Sequence, residues 1–409
     1  MIDRDNESLR ELQTFLVQLG AAMNAAGEPV QSVQDRLMRA ARAYGAESAR
    51  ISAFPTYMML TIAPGEPATL ELTTALAPSR LEQISALEHL VHDAERASID
   101  PTVGLRRLEE IRTMRPRFGP VQSIVGYAVL SLGICLVLHP APRNVAAAAV
   151  FGAIVGLLRS LERNRSLQIL VPIVAAFAVA ALSALAVKHG LDGPGLRAMV
   201  ASLVVFLPGA ALTTAVLELA AGQMVSGSAR LVSGVMQLAL LAFGILAGIE
   251  TVGVPSPSVF AGSHEVLGTW APWLGVLVFA VGVTVAYSAP ARSLPGLLVV
   301  LYAAWTGQVV GNAIFGIYMS AFVGALVMTP VAYWIARLPS AMPQYASFLP
   351  GFWLLVPGAL GLIGLTELAG DAGAAGVQDL AATVVSILAV ALGVLCGTLL
   401  LPSPRRNAT

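Results

Sequence analysis

Two stretches of the sequence place a helix breaker and an ionisable carboxylate together inside apolar runs. The first is Pro208-Gly209-Ala210 followed by Glu218-Leu219-Ala220, and the second is Pro357-Gly358-Ala359 followed by Glu367-Leu368-Ala369. Proline removes an amide donor and clashes with the preceding turn, and glycine lets the backbone leave helical geometry. A helix broken in this way offers amide donors at the start of one half and carbonyls at the end of the other. The donors suit a carboxylate, and the carbonyls suit an ammonium group or a cation. Such features are costly in hydrocarbon, and paired copies in two halves of a chain point to a transporter's binding site. A packing kink is the simpler alternative.

The carboxylates belong elsewhere in depth. Glu218 lies ten residues past Pro208, roughly 15 Å along a helix. With the Pro-Gly pair at mid-membrane, Glu218 and Glu367 fall near opposite mouths, where each is either a coupling residue that carries a proton or an interfacial residue without a role. Asp379 is a third candidate of the same kind. Thr213 and Thr214, one turn past the first break, are the expected substrate contacts beside Pro208, Gly209, Pro357 and Gly358. Gln237, Gln308, Asn312, Thr383 and Ser386 also fall inside apolar runs, where helix-to-helix hydrogen bonding explains most polar residues.

These residues need a membrane scaffold, and the composition provides one. The chain is 56% hydrophobic and 12% charged, with zero net charge, which places it among polytopic membrane proteins and away from nucleic-acid binders. The charge is concentrated before about Arg117. Residues 1–117 read as a cytoplasmic α+β domain. Leu9, Leu12, Phe15, Leu16, Leu19 and Met23 recur at helical spacing up to Gly27; Pro29 opens a second helix that ends at Tyr44-Gly45. Strand-like runs at 48–54, 56–63 and 68–73 follow, then helices through Leu81 to Val91 and Val103 to Ile111. The N-terminus lacks a basic, then apolar, export signal, so this domain is expected to stay in the cytoplasm.

Ten apolar segments follow, at about 121–138, 144–158, 167–187, 198–220, 231–250, 270–288, 294–310, 313–336, 347–369 and 377–401. The boundary between the seventh and eighth is placed near Gly311-Asn312, and Phe348 to Gly351 is expected to open the ninth. With the N-terminus inside, eleven arginines (112, 115, 117, 159, 163, 165, 230, 292, 337, 405 and 406) fall on the cytoplasmic side. Only Arg143, Lys188 and Arg197 fall outside. That bias puts both termini in the cytoplasm.

The two opening motifs are 149 residues apart, and the same shift carries 121–138 onto 270–287 and 231–250 onto 380–399. Five spans per copy means that the halves enter the membrane from opposite sides. The expected fold is therefore a polytopic α-helical membrane protein with a five-plus-five inverted repeat, at 118–255 and 268–402. No G-x-x-x-x-G-K-[ST] loop occurs, which argues against ATP-driven transport. Cys135 and Cys396 lie in apolar runs and read as inert thiols; His89 and His92, with Glu88 and Asp93, read as a solvated helix face. No metal and no cofactor is expected.

The run Leu12 to Thr61 resembles the N-terminal domain of the threonine/serine exporter family, above all at Leu19-Gly20, Gly27, Ala43-Tyr44-Gly45 and Phe54-Pro55-Thr56. Leu207-Pro208-Gly209 with Glu218-Leu219 and Gly227-Ser228-Ala229-Arg230 is similar to the same family, as is Leu355-Val356-Pro357-Gly358 to its C-terminal membrane half. The resemblance implies proton-driven secondary export of small amino acids such as threonine and serine, not catalysis, in the cytoplasmic membrane of a bacterium. The partners it implies are a small amino acid, protons and the lipid bilayer, with homo-oligomerisation left open. Two alternatives stay open: a dicarboxylate exporter of the succinate type, and an enzymatic soluble domain on a membrane base. A dianion would call for an arginine in the pathway, and the sequence places none deep in a span.

Overall fold

Leu12, Phe15, Leu16, Leu19 and Met23 fall on one face of α1 (Ile2–Ala25), and that face is buried. A computed structural model describes residues 2–62, 69–72, 80–138, 141–162, 165–191, 195–260, 267–338, 341–355, 357–369 and 373–401. The chain divides into two compact units. The first comprises Met1–Pro116 and Thr214–Leu231, and the second Arg117–Thr213 and Val232–Thr409.

In the first unit, Gly27 takes φ +87° between α1 and α2 (Val30–Ala43), and Gly45 takes φ +83° after α2. Both are left-handed positions that favour glycine at a helix end. The strands β1 (Arg50–Ala53), β2 (Tyr57–Thr61) and β3 (Thr69–Leu72) form an antiparallel sheet in the order β1-β2-β3. Ile51 pairs with Leu60 and Ala53 with Met58, so alternate side chains point inward. Helices α3 (Leu81–Glu95) and α4 (Pro101–Thr113) complete the core, in which Phe15, Leu19, Leu37, Met58, Leu60, Leu90 and Leu108 are buried. Asp100 caps α4 by accepting from the Thr102 hydroxyl at 2.5 Å and from the Thr102 amide at 2.9 Å, and these hydrogen bonds lower its carboxyl pKa. Arg36 forks onto both Glu88 oxygens at 2.7 and 2.8 Å and meets Glu95 at 3.1 Å, tying α2 to α3.

The second unit continues with α5 (Pro120–Val137), α6 (Pro142–Arg159), α7 (Arg165–Lys188) and α8 (Gly195–Leu203). Then come α9 (Gly209–Ala220) and α10 (Met224–Val252), each partly in the first unit, and the short α11 (Ser256–Phe260). The remainder is α12 (Ala271–Ala286), α13 (Leu294–Phe315), α14 (Ile317–Ile335), α15 (Gln344–Leu355), α16 (Pro357–Ala369) and α17 (Gly373–Leu399). Among the described residues six helices are long and apolar enough to cross a membrane, or up to eight if each bent pair is one span. The chain is thus a polytopic helical membrane protein. Two shorter apolar helices, Ala271–Ala286 and Met319–Ile335, lie between them.

Two boundaries differ from the sequence reading. The turn between α13 and α14 falls at Gly316, with φ +84°, rather than at Gly311-Asn312. Gly311 instead stays helical and packs against Val323. Pro350 sits inside α15, not at its opening, because that helix starts at Gln344.

Helix contacts recur at a constant offset. A Cβ on Gly244 would sit 2.7 Å from the Ile173 carbonyl oxygen, and one on Gly393 would meet that of Phe322. Gly248 approaches the Phe177 carbonyl, and Gly397 that of Leu326; Gly227 approaches that of Ala215, and Gly376 that of Gly364. Every member of each second pair lies 149 residues after its counterpart. Helices α5 and α12 cross antiparallel with the same offset. Gly126 lies against Ala286 and Gly275 against Val137; Gly133 lies against Phe279 and Gly282 against Leu130.

Candidate functional site

The first break follows from its chemistry. Pro208 supplies no amide, so α8 ends in a 3-10 turn at Val204–Phe206, and α9 restarts at Gly209 with an axis bent by 60°. Leu212 donates its amide to the Pro208 carbonyl at 2.8 Å, while the amides opening α9 precede any helical acceptor. Thr213 is fully buried, and its hydroxyl has no hydrogen-bond partner among the described residues. Thr214, next along α9, is 7% exposed.

The second break has the same form. Helix α16 opens on Pro357 and Gly358, and the segments Gln344–Leu355 and Ala359–Ala369 are bent by 41°. The side chains of Pro357 and Gly358 lie outside the described residues. Helix α16 packs against α8, which brings the helix after one break onto the helix before the other.

At each break one polar side chain reaches the residue that precedes it. The Arg159 guanidinium, at the end of α6, lies 5.7 Å from the Phe206 ring, 5.5 Å from Tyr127 and 5.6 Å from Tyr287. It donates from Nη1 to the Tyr287 hydroxyl at 2.9 Å. Glu162 stands 3.6 Å from its Nε, and both side chains are about 15% exposed or less. Tyr287 in turn meets the Trp353 ring at 5.3 Å. In the second half Gln308 donates from Nε2 to the Leu355 carbonyl at 3.5 Å, and its Oε1 is buried without a partner among the described residues. Gln308 is Arg159 plus 149, and Leu355 is Phe206 plus 149. Sequence reasoning counts Arg159 only among the arginines of the cytoplasmic side, and the structure places its guanidinium in an aromatic cage beside the first break. The 149-residue alignment with Gln308 was the signal that could have found it.

The carboxylates separate into two kinds. Glu218, 1% exposed, accepts two hydrogen bonds of 3.1 Å from Arg230 Nε and a third of 3.1 Å from the Val30 amide. That amide opens α2, whose N-cap, Pro29, offers no side-chain acceptor. Glu218 therefore serves as a charged cap on α2, where the helix dipole favours an anion. Arg230 Nη2 also reaches the Glu28 carbonyl at 3.5 Å. Glu367, at the equivalent place, is half-buried and has Asp379 as its electrostatic neighbour. Asp379 is Arg230 plus 149, so a cation in one half is replaced by an acid in the other.

Glu28 itself is 3% exposed. Its Oε1 accepts from Ser32 at 2.5 Å and lies 3.6 Å from Arg36, while Oε2 has no partner among the described residues. Burial raises its pKa, and the Arg36 charge and the Ser32 hydrogen bond only partly oppose this; Glu88 adds to the rise. A raised native pKa means that the folded state holds the proton more tightly than the unfolded chain. Stability from this group is full below the ordinary carboxyl range and falls as pH rises through the native value. Glu28→Gln should flatten that fall and leave the variant no less stable than the parent at pH 8. Thermal unfolding of the full chain at stepped pH checks this, and an unchanged slope would assign the pH dependence to other groups.

His89 and His92 are exposed on α3, and no group of metal-binding side chains occurs among the described residues.

A family model described as "Putative threonine/serine exporter" matches residues 14–252, more than half of the chain. That range runs from α1 through the first break to the end of α10. No curated protein and no solved structure matches the chain.

Proposed function

The chain belongs to the threonine/serine exporter family, and from that premise we propose a secondary exporter of small amino acids of the threonine and serine type, coupled to protons and working by alternating access. The observation that carries the reading is the duplicated contact set. Helix pairs and break positions recur at an offset of 149, and α5 and α12 cross antiparallel through equivalent glycines. This pattern supports ten spans in two inverted halves, which supply two interchangeable access states around one central site. The substrate site in this reading is built on Pro208, Gly209, Thr213 and Thr214, with Pro357 and Gly358. Both termini face the cytoplasm of a bacterial cell in this reading.

Glu367, with Asp379 as its electrostatic neighbour, is the coupling candidate in this reading. Glu218 has a fixed cation instead, and within the first unit it caps α2.

Counterflow in proteoliposomes tests the substrate class: export of labelled threonine should be inhibited by unlabelled serine and not by succinate. The reverse order would establish the dicarboxylate alternative. Leucine at Gly209 or Gly358 should weaken threonine binding on the order of tenfold or more, as expected for lost close contacts and hydrogen bonds. Glu367→Gln should change pH dependence or coupling with a smaller effect on affinity. Equal affinity loss at all three positions would show that binding and coupling are not separated.

A further inference from the structure

We propose that Arg159 holds the carboxylate of the transported molecule, that Glu162 is the internal carboxylate this substrate displaces, and that Gln308 is the neutral counterpart at the second break. The ligand class rests on the exporter reading given above. A guanidinium carries five N–H donors in a planar fork suited to a carboxylate. Among the described residues only one hydrogen bond engages them, from Nη1 to Tyr287. Glu162 stands at 3.6 Å from Nε, close enough to balance the charge and too far for a hydrogen bond. The ring faces of Tyr127, Phe206 and Tyr287 fix the guanidinium and leave donor edges for a ligand.

A buried cation at the end of an apolar helix is a functional-site feature in a membrane protein. Its placement gives it a specific task, because Phe206 is the last residue of the turn before the Leu207-Pro208 break. At the equivalent place the second half offers an amide whose Oε1 is buried and unpartnered among the described residues. That oxygen accepts from a hydroxyl or an ammonium group, not from a second carboxylate. One cation and one acceptor fit a molecule with one carboxylate and a donor-bearing group, which is a hydroxy amino acid. A dicarboxylate would meet one arginine and one amide. Glu162 makes release reversible, since it takes the guanidinium back when the substrate leaves.

The test measures binding to the purified full-length protein with labelled threonine, threoninamide and succinate. The parent should bind threonine in preference to threoninamide, which lacks the carboxylate. Arg159→Gln should weaken threonine on the order of 10- to 100-fold, as for loss of a charged hydrogen-bond pair. It should leave threoninamide nearly unchanged, so that the preference disappears. Arg159→Lys, which keeps the charge without the fork, should fall between. Glu162→Gln should tighten threonine by removing the competitor. Equal loss of threonine and threoninamide in Arg159→Gln, or weaker threonine binding in Glu162→Gln, would overturn the proposal. A parent that binds succinate and not threonine would sink the amino-acid reading alone, and the same Arg159 variants would then be read with succinate against its monoamide. A parent that binds none of these ligands would overturn both.

Discussion

Alanine at Gly133 and alanine at Gly282 should each destabilise the second unit, by similar amounts, and leucine at either position should prevent its folding. A Cβ on Gly133 would meet the backbone of Phe279, and one on Gly282 would meet the backbone of Leu130. Neither neighbour is the flexible tip of a side chain, so the helices themselves must part. Overpacking of this kind costs about 1–3 kcal/mol for small additions. Membrane helices depend on such close approach, because lipid provides little hydrophobic drive for their association. Each leucine variant extends the clash by three carbons beyond alanine. The measurement is the melting temperature of the detergent-solubilised protein, read as the monodisperse fraction after heating. A silent Gly282→Ala beside a damaging Gly133→Ala would mean that the two halves do not share this contact, against the inverted repeat.

Arg230→Ala should be the most damaging single change in the first unit. It strands the Glu218 carboxylate, which is 1% exposed, without its cation. Removing one partner of a buried pair costs about 3–5 kcal/mol, more than the pair itself is worth. Glu218→Gln should cost less, because a neutral amide oxygen still accepts from the Val30 amide. Adding Glu218→Gln to Arg230→Ala should therefore recover part of the loss, a coupling that thermal unfolding of the four proteins reads directly. Additive losses would show that Arg230 acts through its contact with the Glu28 carbonyl instead.

The contrast with the second half explains why the sequence was legible in one respect and not in another. Glu218 and Glu367 align in the sequence, and both read there alike, as a coupling residue or an interfacial residue without a role. What the alignment did not weigh is the partner twelve residues on, Arg230 in one case and Asp379 in the other. Contact between residues that far apart depends on the turn at Gly222, which has φ +80° and brings α10 back along α9. Elements within the first unit were readable because hydrophobic period and glycine stops agree. The strands at 50–53, 57–61 and 69–72 lie inside the expected runs for the same reason. Breaks at Pro208 and Pro357 were readable because proline acts locally. Pro350 misled, since the helix around it is held by burial of Phe352, Trp353, Leu354 and Leu355 and tolerates a proline in its second turn. The Arg159 cage was not readable from any one segment. Its walls come from α5, from the turn before the first break and from the residue that ends α12, and only packing assembles them.

The central claim is transport driven by a proton gradient, and efflux of labelled threonine from loaded proteoliposomes tests it most directly. With an imposed proton gradient the protein should move threonine against its own concentration gradient, and collapsing the gradient should stop that movement at once. Glu367→Gln should retain exchange of threonine across the membrane while losing the gradient-driven component. Efflux that proceeds at the same rate with and without the gradient, or no efflux from vesicles that bind threonine, would contradict the account.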